Sequence, residues 1–348
     1  MSGAAAPHES AGVRMMRSCW FIVILLLTCC VSEGWSAEVS TASATVASIA
    51  AIRLQLDAPA FAPEQVKVAI YLPPDYDNAV AASRHYPVLY ANDGQDMPAV
   101  GLQATLARLY SEHAIQPVIV VAIDMLSDRA SGYGLSDRPA SRSLVGGSRI
   151  GPIGMRAQDY SHWIANSLVP YIDAHYRTRK FVRDRTMLGW SLGALNALNL
   201  GWEYPDVFGR VGAFSPSFWL ATDRSSAAAI EHTRLVQGMV DHGPKRAGLK
   251  MWFAVGTAEE TSDRDGNGII DAINDVQDVI EGYRGPDGFH ARGLKQLGYS
   301  VNLDYARHPS CDTEVALFLL QGGKHNQAAW KQMLPLFLRW AYGQHSIM

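Results

Sequence analysis

The stretch Thr186-Met187-Leu188-Gly189-Trp190-Ser191-Leu192-Gly193-Ala194-Leu195 leaves this chain few architectures to choose from. Met187 and Leu188 read as a buried strand, Gly189-x-Ser191-x-Gly193 as a sharp turn, and residues 192–204 as the helix that leaves it. Glycines flank the serine for a steric reason. The serine sits at a strained backbone position, and side chains beside it would collide where strand and helix cross. Such a turn holds the Ser191 hydroxyl clear of the surface and aims the Leu192 N–H, at a helix N-terminus, toward any oxyanion that forms.

A turn of this kind belongs to an α/β architecture, and the rest of the chain is of a size and composition to supply one. Its 348 residues suit one large α/β unit, and 48% hydrophobic against 18% charged residues describe a globular chain with a sizeable core. A net charge of −3 gives no global basic surface, so nucleic acid is not expected as a partner. Residues 1–37 read as a signal peptide: Arg14 and Arg17 precede an apolar run over 19–31, and Ser32, Gly34, Ser36 and Ala37 follow. That run is shorter than the roughly 20 residues of a spanning helix, so the mature chain, residues 38–348, is expected to be exported with no transmembrane span. Leu26-Leu27-Thr28-Cys29 loosely matches a lipoprotein signal, with threonine a poor fit before the cysteine. Cleavage near Ala37 removes three of the four cysteines and leaves Cys311, so no internal disulfide is expected. Cys311 lies in a loop-like stretch without an elbow, which argues against a role as nucleophile.

Strands are expected over 49–56, 65–72, 86–91, 117–123, 211–214 and 250–255, several of them continuous apolar runs of the parallel-sheet kind. Residues 157–175 carry Tyr160, Trp163, Ile164, Leu168, Tyr171, Ile172 and His175 at helical spacing, which predicts an amphipathic helix with an aromatic core stripe. The basic cluster from Arg177 to Arg185 is interrupted by Asp184 and reads as a solvated loop. Between the strand at 117–123 and that helix lies a long polar, glycine-rich loop over 124–155, placed where a ligand is gripped.

Tyr71-Leu72-Pro73-Pro74-x-Tyr76, followed by Tyr86-Pro87-Val88-Leu89-Tyr90 and Asp93-Gly94-Gln95, resembles the esterase D-like branch of the α/β-hydrolases. That branch includes feruloyl esterases, S-formylglutathione hydrolases, siderophore esterases and mycolyltransferases. The resemblance runs over nearly all of the mature chain and implies one α/β-hydrolase domain, a mostly parallel sheet with helices on both faces. It implies that the loop after the strand at 86–91 supplies a second oxyanion N–H, by position that of Gln95. It also puts Arg129 where siderophore-esterase-like relatives carry a substrate-facing arginine, although the acidic residue that tends to follow is missing from Arg129-Ala130-Ser131-Gly132-Tyr133.

In this fold the acid and the histidine follow the serine in the chain. An acid is expected just past the strand at 250–255, in Gly256-Thr257-Ala258-Glu259-Glu260; the family's spacing points to Glu259, with Glu260 and Asp263 as the other candidates. Gly322-Gly323-Lys324-His325 sits on a loosened loop before the last helix and matches the family's Gly-x-His-x-x-x-x-Trp region, with Trp330 in place. That position lets His325 reach over the sheet to Ser191. The turn Ser215-Pro216-Ser217-Phe218-Trp219 after the strand at 211–214 is expected close to Ser191, with Phe218 or Trp219 lining a substrate pocket or else packed in the core.

Asp263-Arg264-Asp265-Gly266-Asn267-Gly268-Ile269-Ile270-Asp271 matches the first half of a calcium loop, with Asp263, Asp265, Asn267, the Ile269 carbonyl and Asp271 as ligands. Asn274 replaces the bidentate glutamate at position twelve, so the alternative is a polar turn before a helix that begins near Asn274. The chemistry expected is hydrolysis of a small-molecule carboxylic ester through an acyl-enzyme, with no cofactor required and any calcium structural. A siderophore trilactone esterase, an acyltransferase with the same residues and a non-catalytic binding protein remain alternatives. Oligomeric state is not legible.

Overall fold

The apolar runs pair into one nine-stranded sheet. The structure, a computed structural model, describes residues 49–344, and the leader expected over 1–37 lies outside them. In chain order the strands are β1 Ala51–Leu56, β2 Val66–Tyr71, β3 Val88–Asn92, β4 Ile119–Ile123, β5 Arg185–Trp190, β6 Arg210–Phe214, β7 Lys250–Gly256, β8 Val301–Asn302 and β9 Val315–Leu320. Across the sheet they run β1-β2-β4-β3-β5-β6-β7-β9-β8. β1 and β2 are antiparallel to their neighbours, and every pair from β4 to β8 is parallel. Central β3, β4 and β5 are buried at every position, which is why they read as unbroken apolar runs rather than alternating ones.

Side chains alternate between two cores, one on each face of the sheet. Val88, Tyr90, Met187, Val211 and Phe253 point into one core, and Leu89, Ala91, Leu188, Phe214 and Trp252 into the other. The helices, in order, are α1 Leu102–Ser111, α2 Ala157–Trp163, α3 Val169–His175, α4 Leu192–Glu203, α5 Ala227–Thr233, α6 Leu235–His242, α7 Asp271–Glu281 and α8 Gln327–Tyr342. α1 and α8 cover the second core; α2, α3, α4, α6 and α7 cover the first. This is the α/β-hydrolase fold. Among the described residues no helix is long and apolar enough to cross a membrane.

The helix expected over 157–175 is present as α2 and α3, joined by a π-helical turn at Ile164–Leu168. Tyr160, Trp163, Ile164, Leu168 and Ile172 are buried as its spacing predicts, while Tyr171 and His175 stack on each other at 4.0 Å toward the outside. Arg185 departs from the solvated-loop reading: it is buried and bonded at 2.5 Å to Asp173. Strands β8 and β9 and helices α1, α5 and α6 were not expected. The loop over 124–155 carries two short hairpins, one of which pairs Gly146–Ser148 with Gly151–Ile153.

Candidate active site

Ser191 is set by β5 and α4. Its φ of 57° and ψ of −127° lie outside the regions that side-chain-bearing residues favour, and the surrounding packing holds it there. A Cβ on Gly189 would come within 2.1 Å of the Gly193 carbonyl oxygen, so only glycine allows the backbone to pass itself at the elbow. The Ser191 carbonyl caps the helix start by accepting from Ala194 and Leu195, and it also accepts from the Ser217 N–H at 3.2 Å. Ser217 Oγ lies 3.4 Å from Ser191 Oγ.

The loop after β3 is clamped onto this elbow. Asn92 Nδ2 donates to the Gly193 carbonyl at 2.9 Å and to Asn196 at 3.1 Å, and Tyr160 donates to Asn92 Oδ1 at 3.2 Å, all in buried surroundings. Gly193 is needed here too, because a Cβ would sit 2.6 Å from Asp93 Oδ2. Asp93 takes a left-handed conformation, φ 54°, and donates its N–H to the Tyr133 hydroxyl. Gln95 ties its side chain to Asp93 and to the Met125 N–H. Among the described residues the amides of Gln95 and Leu192 donate to no protein acceptor, so both remain open to a ligand.

Arg129 is not among the residues that line the cleft with Ser191, although its Nη2 lies 3.4 Å from the Trp190 carbonyl at the elbow. Its guanidinium makes a bidentate pair with Asp93, both contacts at 2.8 Å, and lies over the Tyr133 ring. The pair ties Arg129 to the loop that carries Gln95.

His325 meets Glu259: Nδ1 and Oε2 are 2.9 Å apart. Two glycines bring their loops together, since a Cβ on Gly256 would lie 2.2 Å from the Gly323 carbonyl and the Ala258 N–H donates to that same carbonyl at 2.9 Å. Glu259 Oε1 accepts from the Gly256 N–H and from Ser215 Oγ, each at 2.6 Å, and Trp330 Nε1 donates to Ser215 Oγ at 2.9 Å. The other two candidate acids are turned elsewhere. Asp263 accepts from the Asn267 and Gly268 amides, and Glu260, its carboxyl pushed up by burial, lies near Asp271.

Ser191 and His325 line one cleft of about 290 Å3 together with Leu192, Ser217, Trp219 and the hairpin residues Ser148, Arg149, Ile150 and Ile153. Trp219 is thus on the cleft wall, whereas its neighbour Phe218 is buried against Phe253. The turn Ser215-Pro216-Ser217 was expected close to Ser191 and the 124–155 loop at the ligand, but the contacts of Ser215, Ser217 and the hairpin tip were not foreseen individually. Ser215-Pro216-Ser217 directly after an apolar strand was the available signal for the first two; the hairpin had none beyond its glycines.

In the 263–274 loop, Asp265 Oδ2 contacts both Asn267 Nδ2 and Asn274 Nδ2, so these side chains converge with Asp263 around the turn. Asp271 is drawn away, accepting from the Arg264 N–H and pairing with its guanidinium at 3.0 Å. Helix α7 begins at Asp271 rather than near Asn274.

A nine-stranded, mostly parallel sheet with a strained serine at the β5–α4 elbow defines the α/β-hydrolase class. Residues 60–340 match the family model described as "Putative esterase", and the chain belongs to that family. YjcH of Bacillus subtilis (strain 168) is 28% identical over 156 residues, 44% of this chain and 56% of that protein. The endo-1,4-beta-xylanase/feruloyl esterase of Xylanibacter ruminicola is 25% identical over 171 residues, 47% of this chain and 21% of that protein. The chain thus spans a little over half of the first of these relatives and a fifth of the second. Among solved structures, the enterobactin esterase FES of Shigella flexneri shares the fold with a TM-score of 0.57 at 16% identity, covering 84% of this chain and 59% of that one. A ferulic acid esterase does so with a TM-score of 0.57 at 15% identity, covering 84% and 96%.

Proposed function

We propose that this protein is an exported serine esterase that cleaves small-molecule carboxylic esters through an acyl-enzyme. The 2.9 Å contact between His325 and Glu259, on the cleft that holds the strained Ser191, carries the reading. Glu259 holds His325 by Nδ1, which leaves Nε2 to take the Ser191 proton as Oγ attacks the ester carbonyl. The N–H groups of Leu192 and Gln95 stabilise the oxyanion. On collapse the alcohol leaves with the proton from His325, and water attacks the acyl-enzyme by the same route in reverse. Family membership and the esterases among the fold's neighbours support this chemistry.

No cofactor takes part in this reaction. The 263–274 loop is proposed as a structural calcium site in which Asp263, Asp265, Asn267 and the Ile269 carbonyl supply oxygens and Asn274 stands in for the missing glutamate. Arg264 competes for Asp271, the ninth-position ligand, so the affinity expected is weak.

The test is the intact mass of the purified mature protein after exposure to a fluorophosphonate, beside Ser191→Ala. One adduct on the wild type and none on the variant is the expected result, and the unlabelled mass reports the cleavage site near Ala37. A folded wild type that takes no label would overturn the reading in favour of a binding protein on a hydrolase scaffold. Product analysis with an added alcohol separates hydrolysis from acyl transfer.

A further inference from the structure

Arg149 lines the cleft and Arg224 rests over the ring of its Trp219 wall, and among the described residues neither makes an ion pair with a carboxylate. Arg149 and Ile150 form the tip of the hairpin that pairs Gly146–Ser148 with Gly151–Ile153, and both line the cleft with Ser191 and His325. The tip is ordered: Ser148 Oγ donates to the Gly151 carbonyl at 2.7 Å and accepts from the Ile150 N–H. Arg149 itself makes no hydrogen bond or ion pair among the described residues. Arg224 is carried by the neighbouring segment, which is tied to the hairpin by the 2.8 Å bond from Gly147 N–H to the Ala221 carbonyl. Its stem crosses the Cα of Gly147, where a Cβ would lie 3.3 Å from Arg224 Cδ. Its guanidinium rests over the ring of Trp219, another cleft residue, with only a 3.4 Å contact to the Trp219 carbonyl as hydrogen bond.

Among the described residues no carboxylate forms an ion pair with Arg149 or Arg224. Asp223 accepts from the Ser225 N–H at 2.8 Å. Glu231, Asp271 and Asp275 are bound by Arg264, and Glu231 and Asp275 also by Arg234. Burial, with the charges of Arg264 and Arg149, holds the Arg224 guanidinium below its ordinary pKa. Unpaired cations held together by ordered backbone beside an apolar wall of Ile150, Ile153 and Trp219 gain most from an anion that arrives with the ligand.

We propose that the esters accepted by this cleft carry a carboxylate a short apolar spacer away from the scissile carbonyl, received by Arg149 and Arg224. The assignment rests on the esterase reading for its chemistry but not for its binding, and the two are separable. Calorimetry on Ser191→Ala would compare 4-nitrophenyl hemisuccinate with its neutral methyl ester, which differs in the charge and one methyl group. The hemisuccinate is expected to bind about tenfold tighter at low salt, with the advantage shrinking as salt is raised. Arg149→Gln and Arg224→Gln, each in the Ser191→Ala background, should bring the ratio toward one. Arg149→Glu should invert it, and Arg183→Gln, at a distant exposed arginine, should leave it alone. Equal affinities, no binding of the hemisuccinate, or a preference that survives both glutamine variants would overturn the proposal. Turnover of the methyl ester by the protein with Ser191 intact is read separately: its absence would count against the esterase chemistry and leave the calorimetric ratio to stand or fall by itself.

Discussion

Ser215 Oγ donates a 2.6 Å hydrogen bond to Glu259 Oε1 while accepting one from the Trp330 indole at 2.9 Å, so the acid beside His325 is held from the strand end after β6 and from the first turn of α8 at once. The Gly256 N–H supplies a third tie at 2.6 Å. A carboxylate held this way has one oxygen left for the imidazole.

Ser215→Ala removes the donor to Glu259 and strands the buried Trp330 N–H. A stability loss of about 1–3 kcal/mol is expected in urea unfolding, from the orphaned indole. Ester turnover should fall through kcat, with KM little changed, because His325 loses its fixed orientation and the ground-state contacts do not change. A variant with wild-type kcat would show that the Gly256 amide alone positions Glu259.

Gly189→Ala places a methyl group against the Gly193 carbonyl at the elbow. Overpacking at a site with no flexible neighbour is expected to cost at least the about 1–3 kcal/mol typical of a filled core. Thermal unfolding followed by circular dichroism reads it directly; an unchanged Tm would mean that β5 and α4 can part at no cost.

Four carboxylates, Glu231, Asp271, Asp275 and Asp278, surround the guanidiniums of Arg234 and Arg264. Burial with this excess of negative charge pushes Asp275 and Asp278 up to about 6. The unfolded value is about 3.9, so between the two the folded state binds more protons, and stability contributed here falls as pH rises from about 4 to about 6. Asn mimics the protonated acid. The stability of Asp278→Asn relative to wild type is therefore expected to shift in favour of the variant between pH 5 and pH 7.5, by about 1 kcal/mol. Paired denaturant curves at the two pH values check this, and a constant difference would show that Arg234 keeps Asp278 ionised throughout.

Calcium at millimolar concentration should raise the Tm of the wild type, and EDTA should reverse the gain, if the 263–274 loop binds the ion. Asp265→Ala should abolish the response because Asp265 touches both Asn267 and Asn274. Identical melts in calcium and EDTA would leave the loop as a polar turn ahead of α7.

The local parts of this protein were legible in the chain. Residues 186–204 dictate a strand, a strained turn and a helix because glycine spacing and apolar pattern act over a few neighbours, and β3, β4, β5 and β7 are runs whose burial on both faces leaves no other reading. β9, Val315–Leu320, carries the same unbroken apolar signal and was legible though passed over, whereas α5 and α6 have no comparable punctuating motif.

Selection among equivalent candidates needed contacts between distant segments. Glu259, Glu260 and Asp263 are chemically interchangeable in the sequence; the backbone approach of Gly256 to Gly323 is what delivers Glu259 to His325. Arg129 and Arg149 are both loop arginines in one polar stretch, and the inward turn of Asp93 claims the first while the hairpin lifts the second over the cleft. Such outcomes depend on which backbones can touch, a property of packing that no single segment carries by itself.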